Sequence, residues 1–131
     1  MTVGLDTSVV LRLLVGQPAD QWQKAIHFLD ALARRGDRPV VSDLVVTETY
    51  FALQHHYNVP KKEALAALRR MFADGEITST GAAPEVLAMS NLATAKPGFV
   101  DRLIHQSYTS GDNAMATFEQ SAKRLPKVRL L

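Results

Sequence analysis

Cysteine is missing from all 131 residues of the chain. Its absence excludes disulfides and thiolate metal sites, and it fits a reducing compartment, so a cytoplasmic location is expected. Long apolar runs are missing too. None approaches the roughly 20 residues that a membrane-spanning helix needs, so no membrane association is expected. The start, Met-Thr-Val-Gly-Leu-Asp, has neither a basic leader nor a long apolar stretch and does not read as a secretion signal. Charge of one sign is also scarce. Fifteen Lys and Arg against 13 Asp and Glu leave a net +2, which is no nucleic-acid footprint unless the cations cluster. The cations come in short groups: Arg34-Arg35 with Arg38, Lys61-Lys62, Arg69-Arg70 and the tail Lys123-Arg124-Lys127-Arg129. These read as solvated helix faces and helix ends, where cations complement the dipole. No internal repeat, low-complexity stretch or linker interrupts the chain.

What is present is core material. Apolar residues make up 47% of the chain, enough for one domain over residues 1–131 with a real interior. Short apolar strands alternate with helix patterns. Val3-Gly4-Leu5 is a strand, and Val9-Val10-Leu11 continues as a helix. Asp20 to Arg35 carries Trp22, Ile26, Leu29 and Leu32-Ala33 on one helical stripe closed by Gly36. Pro39 to Ser42 is a strand, and Ser42 is a good N-cap for a helix from Asp43 to Tyr57, which Asn58 can close in a left-handed conformation. Pro60 opens a helix over Lys61 to Phe72, Asp74-Gly75 is a turn, and Glu76 to Thr80 is a β-branched strand. Pro84-Glu85 starts a helix expected to run to about Ala95, and Phe99 to Tyr108 forms another. Asn113 to Phe118 reads as a strand, Glu119 to Leu125 as a helical turn or two, and Val128 to Leu131 as a terminal strand. This alternation predicts the α/β class, a three-layer α/β/α sandwich with a mostly parallel central sheet.

Open parallel sheets place their chemistry at the carboxyl ends of their strands. Asp6 stands there, directly after the first strand, followed by Thr7 and Ser8. Glu48 is expected on or beside the buried stripe of its helix, next to Leu44 and Phe51, where a carboxylate needs a partner. Asp101 opens its helix, and Glu119 ends one strand and starts the next helical turn. Both positions also suit an acid that merely serves the helix dipole. Gathered at one edge, these acids would repel, at about 4 kcal/mol for two charges 4 Å apart at an effective dielectric of 20. Protons or cations would have to compensate. An all-oxygen set without cysteine or a histidine motif points to a hard cation, Mg²⁺ or Mn²⁺, which could position and activate water for attack on a phosphodiester. Thr7, Ser8 and Thr117 could orient water or hold a phosphate oxygen.

The ordered set Val3-Gly4-Leu5-Asp6-Thr7-Ser8-Val9-Val10, Ser42-Asp43-Leu44-Val45-Val46-Thr47-Glu48, Phe99-Val100-Asp101 and Ala116-Thr117-Phe118-Glu119 resembles PIN domains, above all the small bacterial toxins of the VapC type. The resemblance spans nearly the whole chain. It implies a Mg²⁺- or Mn²⁺-dependent endoribonuclease, usually a homodimer, that acts on RNA and is held inactive by a cognate antitoxin. By position, Asp6, Glu48 and Asp101 match the acids such domains use as catalytic metal ligands, and Thr117 matches the hydroxyl residue two before the fourth acid. That fourth position usually holds Asp, whereas this chain has Glu119, an outer ligand or one for a second metal. Asp112 is a substitute, although its place beside Gly111 reads as a turn.

Other readings remain open at this level. A PIN-like module with weakened catalysis would bind RNA or its antitoxin and cleave little. Aspartyl-phosphate chemistry also uses an Asp after a first strand, but its phosphatase form needs a second Asp where Ser8 stands. His55 and His56 sit near a helix end and are expected to serve dipole and solvent rather than metal. His105, a turn past Asp101, is better placed to approach a substrate phosphate. Trp22 is expected in the core or a dimer interface.

Overall fold

Asp6 ends a short strand and caps a helix, and this junction organises the first part of the chain. The structure is a computed structural model that describes residues 1–131. It divides into two compact units, residues 1–80 and 81–131.

In the first unit, β1 (Thr2–Gly4), β2 (Arg38–Val41) and β3 (Thr78–Ser79) form a parallel sheet with β2 in the middle. The register pairs Gly4 with Val40 and Val41 with Ser79. The backbone N–H of Leu5 extends the ladder to the Val40 carbonyl at 2.9 Å, so Asp6 emerges at the carboxyl edge. Helices follow β1 and β2 directly because the residue after each strand is a capping residue. Asp6 caps α1 (Thr7–Val15) through the Val9 N–H, and Ser42 caps α3 (Asp43–His55) through the Val45 N–H. Each such cap is worth about 1 kcal/mol. Because β1 and β2 are parallel, α1 and α3 both start at the same edge of the sheet.

Between them runs α2 (Ala19–Arg35), which ends at Gly36 in the left-handed conformation with φ 74°. There the Asp37 N–H reaches the Leu32 carbonyl, a closure in which glycine avoids a Cβ penalty. α4 (Lys61–Ala73) buries Ala64, Leu65, Leu68 and Met71, one stripe at helical spacing. Asn58 adopts the expected left-handed conformation with φ 54°. β3 is shorter than the Glu76–Thr80 strand the sequence suggests. Asp74 accepts a hydrogen bond from the Glu76 N–H at 3.0 Å, which keeps Glu76 in the turn and delays the strand. Inside α3 the Thr49 hydroxyl is fully buried without a hydrogen-bond partner, a cost of about 1–3 kcal/mol.

In the second unit, α5 spans only Ala83–Leu87, not the helix to Ala95 expected from the sequence. Asn91 is left-handed with φ 58°, which no α-helix can pass through, and the chain re-forms as a 3-10 turn over Leu92–Thr94. α6 (Phe99–Thr109) follows, then β4 (Met115–Thr117), a 3-10 turn over Gln120–Arg124, and β5 (Val128–Leu130). β4 and β5 pair in parallel, with Thr117 opposite Leu130. The α/β class and the parallel strands are as expected. The backbone ladders, however, fall into a sheet of three strands and a sheet of two.

Candidate active site

Asp6 takes its place from its cap. Its Oδ1 accepts from the Ser8 hydroxyl at 2.6 Å and from the Val9 N–H at 3.2 Å. The Ser8 hydroxyl, followed by the Val9 N–H, holds the carboxyl below its ordinary value, with burial acting weakly the other way. Asp6 is therefore an exposed carboxylate that stays ionised at neutral pH.

Glu48 reaches the same edge from α3. Its Oε2 accepts from the Thr7 hydroxyl at 3.3 Å, so Thr7, the residue after Asp6, links the two acids. Yet Glu48 does not lie on the buried stripe of its helix. That stripe is Val46, Thr49, Tyr50 and Leu53, whereas Leu44 is 69% exposed and Phe51 44% exposed. Leu44, Glu48, Phe51 and His55 recur at spacings of three and four and form the outward face. Glu48, expected on or beside the buried stripe, instead faces solvent and needs no buried partner.

In the second unit, Asp101 is exposed in the first turn of α6, where a negative charge complements the helix dipole. Glu119 is the N-cap of the 3-10 turn over Gln120–Arg124. Its Oε1 accepts from the Ser121 N–H at 3.3 Å and from the Ser121 hydroxyl at 2.9 Å. The Thr117 hydroxyl accepts from the Glu119 N–H at 3.0 Å, which fixes the step out of β4. Asp112 lies in the turn after α6, as its place beside Gly111 suggests.

The structure thus ties Asp6 to Glu48 through Thr7, and Thr117 to Glu119. No group of three or more His, Asp or Glu side chains is gathered closely enough to hold a metal ion. In kind, the donors suit a hard divalent cation: carboxylate and hydroxyl oxygens, with Asp6 held in its charged form.

His105, expected near a substrate phosphate, is instead engaged within the fold. It is 5% exposed, and its Nε2 donates to the Pro126 carbonyl at 2.7 Å, pinning the segment before β5 to α6. Its neighbours in α6 hid this role, because a bond to a carbonyl 21 residues away leaves no local pattern. His55 stacks on Phe51 with ring centroids 6.1 Å apart, in keeping with a surface role at the end of α3. Trp22, expected in the core or a dimer interface, is 38% exposed on α2 and is therefore no core residue. The Ser8 hydrogen bond to Asp6 and the Thr7 link to Glu48 went unforeseen in detail, although an Asp followed by Thr-Ser is a common helix-capping pattern.

The PIN domain family profile matches residues 3–128. The chain belongs to the PIN domain family. Such domains are generally nuclease-like, typically dependent on divalent metal ions, and commonly associated with toxin–antitoxin systems. Neither a curated protein nor a solved structure matches the chain. No helix is long and apolar enough to cross a membrane.

Proposed function

We propose that the chain is a Mg²⁺- or Mn²⁺-dependent endoribonuclease of the VapC type, one nuclease domain over residues 1–131 and the toxin of a toxin–antitoxin pair. The observation that carries this reading is the Asp6–Ser8 and Thr7–Glu48 arrangement at the carboxyl edge of a parallel sheet, in a chain that matches the PIN family over residues 3–128. In this reading Asp6, Glu48, Asp101 and Glu119 are the ligands. A divalent cation held by these carboxylates would supply Lewis-acid stabilisation of the charge that develops on the phosphodiester. Ser8 and the Val9 N–H keep Asp6 charged and fix its rotamer. Thr7 orients the Glu48 carboxylate, and Thr117 sets the backbone that presents Glu119. The protein acts in the cytoplasm on RNA, as a homodimer, and a cognate antitoxin silences it.

Induced expression in a bacterial host should arrest growth, while Asp6→Asn at the same protein level should not. Undisturbed growth with accumulated wild-type protein would contradict the toxin reading.

A second reading, a PIN-like module with weakened catalysis, draws on Glu119. Its Oε1 is already engaged with Ser121, and its extra methylene departs from the Asp expected there. Metal-dependent turnover that is lost in the Asp6 variant separates the two readings in favour of the first.

A further inference from the structure

The mechanism above uses the carboxylates and leaves a groove of about 250 Å³ between α1 and α2 without a role. Ser8, Arg12, Gln21, Lys24 and Phe28 line it over a floor of small apolar side chains. No acid lines it, so its charge is that of Arg12 and Lys24. Arg12 is not a loose surface cation, because its Nε donates to Gln21 Oε1 across the groove. That bond spends one donor of the guanidinium and leaves the terminal nitrogens of its fork for a ligand.

The groove adjoins Asp6. Ser8 lines it and also donates to Asp6. Only Gly16, Gln17 and Pro18 separate α1 from α2, so the chain folds back, and the Arg12–Gln21 bond sets the register. Lys24 and Phe28 follow Gln21 at intervals of three and four, one face of α2 running back toward the Asp6 end. Arg12 lies one helical turn, about 5.4 Å, beyond Ser8 on α1. Phe28 is 40% exposed and lines the groove.

Cations along a groove with an exposed aromatic ring are the arrangement that holds a single nucleic-acid strand: phosphates meet the charges, and a base stacks on the ring. We infer that the α1–α2 groove is a binding subsite for single-stranded RNA that leads the strand to Asp6, with Arg12 and Lys24 on its phosphates and Phe28 under a base. The inference deepens the ribonuclease reading and rests on it for the identity of the strand. It adds residues that bind substrate without taking part in the chemistry. A protein segment is the competing occupant, but an apolar helix would leave Arg12 and Lys24 facing nonpolar surface, whereas a polyanion meets both.

The test separates binding from cleavage. The affinity of the full chain for a fluorescent single-stranded RNA is measured by anisotropy in EDTA across a salt series, for wild type, Lys24→Gln, Arg12→Gln with Lys24→Gln, and Lys24→Arg. The double variant should bind at least tenfold more weakly. The slope of log affinity against log salt should become shallower by about 1.4, since each phosphate contact on a single strand contributes about 0.7. Lys24→Arg should bind as wild type does, and Lys24→Gln should fall between. Cleavage with Mg²⁺ by the double variant should show a raised KM with little change in kcat. Unchanged affinity and slope in the double variant would overturn the inference, even if the wild type cleaves RNA. Wild-type protein that binds RNA through these residues but never cleaves would instead overturn the ribonuclease reading and leave the subsite standing.

Discussion

Asp6→Asn is expected to reduce metal-dependent RNA cleavage about a thousandfold while leaving the protein folded. The substitution removes one unit of charge. At an effective dielectric of 20, a charge pair 4 Å apart is worth about 4 kcal/mol, which corresponds to roughly three powers of ten in rate. It should not disturb the local structure. Asp6 is the N-cap of α1, and Asn caps about as well as Asp. The amide oxygen can still accept from the Ser8 hydroxyl and the Val9 N–H, the bonds that fix the wild-type rotamer. The check is initial cleavage rate on a defined RNA, with circular dichroism and thermal midpoint measured alongside. Activity within tenfold of wild type would mean that Asp6 is only a cap.

The second large effect falls on the core. Leu68→Ala should destabilise the chain by about 2–5 kcal/mol, because Leu68 is fully buried in α4 and truncation leaves a cavity beside Leu65 and Met71. Against a typical total of 5–15 kcal/mol this is a large share, and the thermal midpoint should drop by roughly 10 °C. Leu44→Ala is the matched control. Leu44 is 69% exposed on the same face of α3 as Glu48, so its loss should stay within about 0.5 kcal/mol. Urea unfolding of both variants measures the contrast. Equal losses would mean that the Leu44–Glu48–Phe51 face is buried, which would restore the reading of Glu48 as a core-flanking acid.

The contrast between these two leucines also shows what a sequence can and cannot reveal. Elements set by local chemistry were legible. Ser42 announces α3 through its own hydroxyl, Gly36 closes α2 because only a left-handed residue can stand there, and Asn58 is left-handed as expected, although α3 already ends at His55. Asp6 was legible for the same reason: a strand, an acid and a helix start are adjacent in sequence. Features that depend on distant partners were not. Leu44, Glu48 and Phe51 are apolar and acidic neighbours on one helix, and only tertiary packing decides that Val46, Thr49 and Leu53 turn inward instead. The helix expected to reach Ala95 is interrupted by Asn91, whose left-handed backbone its neighbours in sequence do not signal. His105 looked like a substrate group because nothing near it in sequence reveals its bond to Pro126.

The site shows the same division. The links Thr7–Glu48 and Thr117–Glu119 tie residues that the sequence had already singled out, the first across 41 positions. Glu119 was flagged as a departure from the expected Asp, and its carboxylate indeed caps a 3-10 turn through Ser121. Composition hid the groove between α1 and α2. Arg12 and Lys24 lie 12 positions apart, outside every basic cluster in the sequence, and a helix hairpin brings them to one surface.

The most direct measurement of the central claim is cleavage of total RNA by purified wild-type protein in Mg²⁺, in Mn²⁺ and in excess EDTA. Discrete fragments should form with either metal, vanish in EDTA and return when Mg²⁺ is added beyond the chelator. Undiminished cleavage in excess EDTA would contradict a mechanism in which Asp6 and its companion carboxylates act by holding a divalent cation.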